Sequence, residues 1–159
     1  MDTATVPPDR SARDAAAMAR LRHELAHPPF HAVLGPEAVG VDADAGTVVI
    51  RLPYREAFRR AAGSADIHGG VIATLIDLAA HAAVAVQTGR MAPTIDLRID
   101  YLRAAPGTDL LATARTLRVG RTIARADVEV TAAGDARPVA VGRGTFSTHQ
   151  PAAAAAATE

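Results

Sequence analysis

Apolar and polar residues alternate in six short runs between Ala38 and Thr148, and a long segment that does not alternate separates the second run from the third. In AVGVDADAGTVVIRLPY (38–54), Val48, Ile50 and Leu52 share one face, and Asp44-Ala45-Gly46 marks a turn between two strands. After the long segment, Ile95, Leu97, Ile99 and Tyr101 alternate with Asp96, Arg98 and Asp100, and the run stops at Ala105-Pro106-Gly107. A run from Asp109 to Val119 closes at Gly120-Arg121. Another sets Ala124, Ala126, Val128 and Val130 against Arg125, Asp127, Glu129 and Thr131, and the last covers Val139 to Thr148. Such runs joined by short turns predict an antiparallel sheet with one packed face and one polar face.

The segment from Gly69 to Val86 has the length and period of a helix. Val71, Leu75, Leu78 and Ala82 form one stripe and Ile72, Ile76, Ala79 and Val86 a second. The third stripe, Gly70, Ala73, Thr74, Asp77, His81 and Val84, is small and polar. A meander with one dry face needs a cover, and only this segment is long and apolar enough to supply it. An earlier helix is predicted from Ser11 as N-cap, with Met18, Leu21 and Leu25 on one side, stopped by His27-Pro28-Pro29. His27 and His31 lie in turns, with no carboxylate at ligand spacing, and read as surface residues. The prediction is therefore an α+β domain over 11–149: a curved antiparallel sheet of five to six strands wrapped around a long central helix. Residues 1–10 and the Ala-rich stretch 150–159 contain too little apolar bulk to join a core and are expected to be disordered.

Composition narrows the function. The chain has 159 residues, 17 basic against 17 acidic side chains and no cysteine. All the basic residues are arginine, and the balanced charge argues against a nucleic-acid face. Without cysteine there is no disulfide, thiolate metal site or cysteine nucleophile, which fits a reducing, cytoplasmic setting. No metal site is predicted. MDTATVPPDR lacks a signal-peptide pattern, and Asp77 and His81 interrupt the one long apolar run, so no membrane span is expected.

Asp77 is the residue that calls for an explanation. It is either a helix acid on a solvated stripe or a carboxylate held among small and apolar neighbours, where an unpaired charge costs several kcal/mol or the pKa rises. In the second case it is a candidate general base or nucleophile. His68-Gly69-Gly70 opens the same helix, where unpaired N–H groups carry partial positive charge and two glycines admit a ligand. A carbonyl oxygen bound there would be polarised, as in an oxyanion hole. The alternatives are a plain turn for the glycines and a capping role for His68.

HGGVIATLID (68–77) followed by APTIDLRIDYLRAA (92–105) closely resembles the hotdog-fold acyl-CoA thioesterases, in particular those related to the phenylacetate-degradation thioesterases and 4-hydroxybenzoyl-CoA thioesterase. The resemblance spans roughly 51–147. It implies a homodimer with two active sites at its interface, likewise a dimer of dimers, acting on an acyl-CoA in which coenzyme A is part of the substrate and no other cofactor is needed. It assigns the oxyanion N–H to Gly69 and positioning of the carbonyl to His68. Asp77 from the other protomer becomes base or nucleophile, and Thr94 orients the water or the acid. Gly70, Arg103, Gly120, Arg121 and Arg125 would bind substrate, with Arg118 beside them, the arginines and the Gly120-Arg121 turn taking the coenzyme A phosphates. One position departs from the pattern: Ala62 stands where many relatives carry Asn or Gln six residues before the histidine, and Ser64 and Asp66 are the nearby substitutes. A hydratase or dehydratase would pair Asp77 with a downstream histidine, for which His81 is the candidate. A non-catalytic acyl-CoA-binding module is the third reading.

Overall fold

The structure is a computed structural model that describes residues 9–149. The Ala-rich stretch 150–159 and residues 1–8 lie outside the described residues. Helix α1 spans Arg10–Ala26 and starts earlier than predicted: the Asp9 carboxylate, not Ser11, caps it by accepting the Ala12 N–H at 2.8 Å. Its buried side carries Ala17, Leu21 and Leu25, together with Glu24, which Arg20 pairs at 2.7 Å. Instead of a turn at His31, Pro29–Leu34 forms a short helix α2, with proline in its first turn and Gly35 at φ 69° ending it.

Strands β1 (Glu37–Asp42) and β2 (Thr47–Leu52) form the expected hairpin. After helix α3 (Gly69–Thr88), ended by Gly89 at φ 69°, come β3 (Thr94–Tyr101), β4 (Leu110–Val119), β5 (Ile123–Ala132) and β6 (Pro138–Ser147). All pairings are antiparallel in the order β1-β2-β4-β5-β6-β3, so β1 and β3 are the edges.

The alternation works as its period requires. Val48, Ile50 and Leu52 on β2, Ala112 and Ala114 on β4, and Ala124, Ala126, Val128 and Val130 on β5 are all buried. They meet Ile72, Leu75, Ile76, Ala79 and Ala80 of α3, which lies in the concave face of the sheet. Small residues let the helix come close: at Gly142 of β6 a Cβ would collide with Ile76.

Three expectations need correction. Val84, assigned to the polar stripe of α3, is fully buried, because the sheet and α1 enclose the second half of the helix more completely than one sheet face would. By length and composition α3 could cross a membrane, since Asp77 and His81 are too few to lower its hydropathy; yet ten of its residues are buried inside this fold, where it is the core helix. Ile95 and Tyr101, assigned to a packed face, are 58% and 53% exposed, because β3 is an edge strand and its flank has no cover within the chain.

Candidate active site

The start of α3 is built around His68. Its backbone is extended (φ −65°, ψ 134°), and its Nδ1 accepts the Gly70 N–H at 2.9 Å. His68 is therefore an N-cap, and the Gly70 N–H is used up. That bond fixes the tautomer, leaving a proton on Nε2 that faces outward as a donor. The Gly69 N–H has no partner among the described residues, so it is the open donor at the positive end of the helix. Tyr101, at the end of β3, donates its hydroxyl to the Gly69 carbonyl at 2.9 Å and ties this helix start to the sheet edge.

Asp77 lies half-buried on the side of α3 that faces the start of β3, and the Thr94 hydroxyl donates to its Oδ1 at 2.9 Å. In strict alternation Thr94 would share the polar face of Asp96 and Arg98. A bulge between Thr94 and Asp96 breaks the alternation and turns Thr94 toward the helix. One turn beyond Asp77 is His81, whose pKa burial lowers from the usual 6.5. Asp77 is eight residues past Gly69 on a helix rising 1.5 Å per residue, so the two are about 12 Å apart along the axis. Within one chain they cannot reach the same carbonyl.

β3 runs antiparallel to α3. Its Tyr101 end holds Gly69 and its Thr94 end holds Asp77. Beside Gly69 is a cavity of about 320 Å³ lined mainly by Ile67, Ile72, Leu102, Ala104 and Ala105. At the Thr94 end a second hollow, about 370 Å³, brings together Arg118, Gly120, Arg121 and Arg125. These three arginines have no acidic partner among the described residues. The Gly120 N–H, however, closes its own turn on the Ile123 carbonyl at 2.8 Å, which leaves the anion-binding capacity of the hollow to the guanidinium groups. Arg103 is not part of this group. It lies at the other end of the sheet, pairs with Asp135 at 3.1 Å and donates to the carbonyls of Arg137 and Pro138.

Ala62 sits exposed in a turn, and neither nearby substitute replaces the missing amide: Asp66 pairs with Arg60 at 3.0 Å, and the Ser64 hydroxyl oxygen accepts from Arg60 and from the Asp66 N–H. Tyr101 is the residue that sequence reasoning missed. It reads as one more apolar member of a strand, and only its position as the last residue of β3 hints at a polar role.

A six-stranded antiparallel sheet wrapped around one long helix is the hotdog architecture, and here the helix carries an open N–H at its start and a carboxylate held by a hydroxyl. The sequence profile of the thioesterase superfamily matches residues 65–143. A Halobacterium salinarum protein named provisionally as an esterase is 42% identical over 127 residues, covering 73% of this chain and 83% of that protein. Human acyl-coenzyme A thioesterase 13 is 32% identical over 118 residues, covering 73% and 82%. The crystal structure of zebrafish thioesterase superfamily member 2 superposes with a TM-score of 0.70 at 31% identity, over 82% of this chain and 94% of that one. The chain belongs to the thioesterase superfamily, and it is a thioester hydrolase.

Proposed function

We propose that the substrate is an acyl-CoA, and that hydrolysis takes place at two equivalent sites formed where two copies of the chain pair their β3 edges. The carrying observation is the separation of Gly69 and Asp77 at opposite ends of β3, an edge strand on which Ile95 and Tyr101 are exposed. Antiparallel pairing of β3 with its twofold copy sets the Thr94 end of one strand against the Tyr101 end of the other, so Asp77 of one protomer faces Gly69 of its partner. The substrate class rests on the relatives' names and on the pairing of an apolar cavity with unpaired arginines. A reducing, cytoplasmic setting accords with the cysteine-free composition.

In this reading the thioester carbonyl oxygen lies against the Gly69 N–H and the His68 Nε2–H, which stabilise the charge it gains on attack. Asp77 removes a proton from water, or attacks the carbonyl carbon itself, and the Thr94 hydroxyl holds one carboxylate oxygen so that the other points at the reaction. The thiolate of coenzyme A leaves; where water attacked, the free acid forms directly, and where Asp77 attacked, water then hydrolyses the acyl–Asp77 anhydride to the free acid and restores the carboxylate. Arg118, Arg121 and Arg125 hold the phosphates, while Arg103, occupied by Asp135, contributes only to the cavity wall. Thiol release from a panel of acyl-CoAs tests the reading. It requires turnover with at least one apolar acyl group and loss of that turnover in Asp77→Asn, and absence of thiol release across the panel would remove it.

A further inference from the structure

His81 is a half-buried titratable side chain for which the reaction above has no use. Its Nε2 accepts the N–H of Ala92 at 3.4 Å, a long bond, but Ala92 is fully buried and its N–H has no other acceptor among the described residues. Its ring also meets the edge of Phe146, centroids 6.2 Å apart at 60°. Ala92 is two residues before Thr94, and Phe146 is the residue paired with Thr94 across the sheet. The ring thus grips both sides of the residue whose hydroxyl orients Asp77. A leucine would fill the space but leave the Ala92 N–H buried without a partner.

We propose that His81 is a positioning residue for hydrolysis: in its neutral form it holds the 89–93 turn and Phe146, so that Thr94 reaches Asp77. This rests on the reading of Asp77 as the reacting carboxylate. Only an unprotonated Nε2 can accept the Ala92 N–H. The charged groups facing the ring are Glu24 and Arg20 from α1, His31 from α2 and Asp77 from its own helix; from the sheet it meets Phe146. The two carboxylates favour the imidazolium, His31 and Arg20 oppose it, and burial outweighs both to keep the ring neutral at neutral pH. As pH falls through the lowered pKa of His81, the acceptor is lost and kcat should fall, while KM stays level because the ring does not touch substrate.

The test compares kcat and KM across pH for His81→Leu, which removes the acceptor, and His81→Gln, which keeps one near the Nε2 position. The expected results are a kcat for His81→Leu about tenfold lower at neutral pH with little change in KM, and His81→Gln within about twofold of the parent but without the His81 acid limb. Equal losses in both variants, an unchanged acid limb in His81→Gln, or full kcat in His81→Leu would overturn the proposal. If His81→Leu does not fold, the profile of His81→Gln decides alone. Adding His81→Leu to Asp77→Asn should lower kcat no further, and an additive loss would show that His81 does not act through Asp77. Full activity in Asp77→Asn by itself would instead remove the carboxylate reading, whatever the His81 variants do.

Discussion

β1 and β3 are the two edges of one sheet, yet the chain blunts the first and leaves the second bare. β1 is six residues long and is overlaid by α1. Arg10 pairs with Asp42 and Arg13 with Asp44, each at 3.0 Å, while the Asp14 carboxylate accepts the Ala43 N–H at 2.8 Å. β3 is eight residues long, with Ile95 and Tyr101 exposed on it and Met91 and Leu102 exposed at its ends. A long edge that exposes apolar side chains is a pairing surface that a protein either covers or uses. Here the bare edge is also where Gly69, Asp77, Thr94 and Tyr101 gather, whereas the blunted edge carries no candidate chemistry. The same backbone problem is solved within the chain at one edge and, in our account, by a second copy at the other.

The largest effect should come from spoiling the bare edge. Ile95→Lys places a charge where two β3 strands would meet, and it should yield a monomer by sedimentation whose hydrolysis is nearly abolished. A monomer of full activity would break the comparison. Next, Asp77→Asn keeps shape while removing charge and basicity. Turnover should fall by about two orders of magnitude or more, the usual scale for loss of a general base, with the melting temperature held or raised. A helix acid tied into a structural network would behave oppositely, losing stability while turnover fell only with the folded fraction. A smaller loss, about three- to tenfold in kcat, is expected for Thr94→Val, which removes one hydrogen bond to Asp77; an unchanged kcat would detach Thr94 from the site.

The smallest effects belong to the blunted edge. Arg13→Ala should leave hydrolysis intact and shift the melting temperature only slightly, as exposed ion pairs do. The hydrogen bond from Arg13 holds Asp44 below the ordinary carboxylate value of 3.8, so the pair stabilises fully above that pH and loses its contribution as pH falls through the lower folded value. The small gap in melting temperature between parent and Arg13→Ala should therefore close under acid, and a gap that widened below pH 3.8 would contradict this.

The strands were legible because their side chains alternate with period two and Gly or Pro punctuates them. The central helix was legible because nothing else could cover the sheet. Asp77 stood out by its setting, but its partner did not follow from the pattern: Thr94 reaches it only through a bulge, and alternation alone puts that threonine on the wrong face. Similarly, Tyr101 and Ile95 read as core because a period of two says which face a residue takes, not whether its strand is central or at an edge. Strand order is set by long-range pairing, which local pattern does not encode. The Asp9 cap was missed for a simpler reason, since Asp9 and Ser11 are both good caps two residues apart.

The central claim, that each site takes its carboxylate and its N–H donor from different protomers, can be tested by mixing two inactive proteins. Gly69→Pro removes the open donor at a position where proline is tolerated, the first residue of a helix after an extended residue, His68 at ψ 134°. Alone, Gly69→Pro and Asp77→Asn should each be nearly inactive. When the two are unfolded together and refolded in equal amounts, about half the dimers should be mixed, and each mixed dimer would hold one site with a native Asp77 facing a native Gly69, restoring about a quarter of the parent activity. A mixture no more active than its two components would show that the two groups do not share a site across protomers and contradict the account.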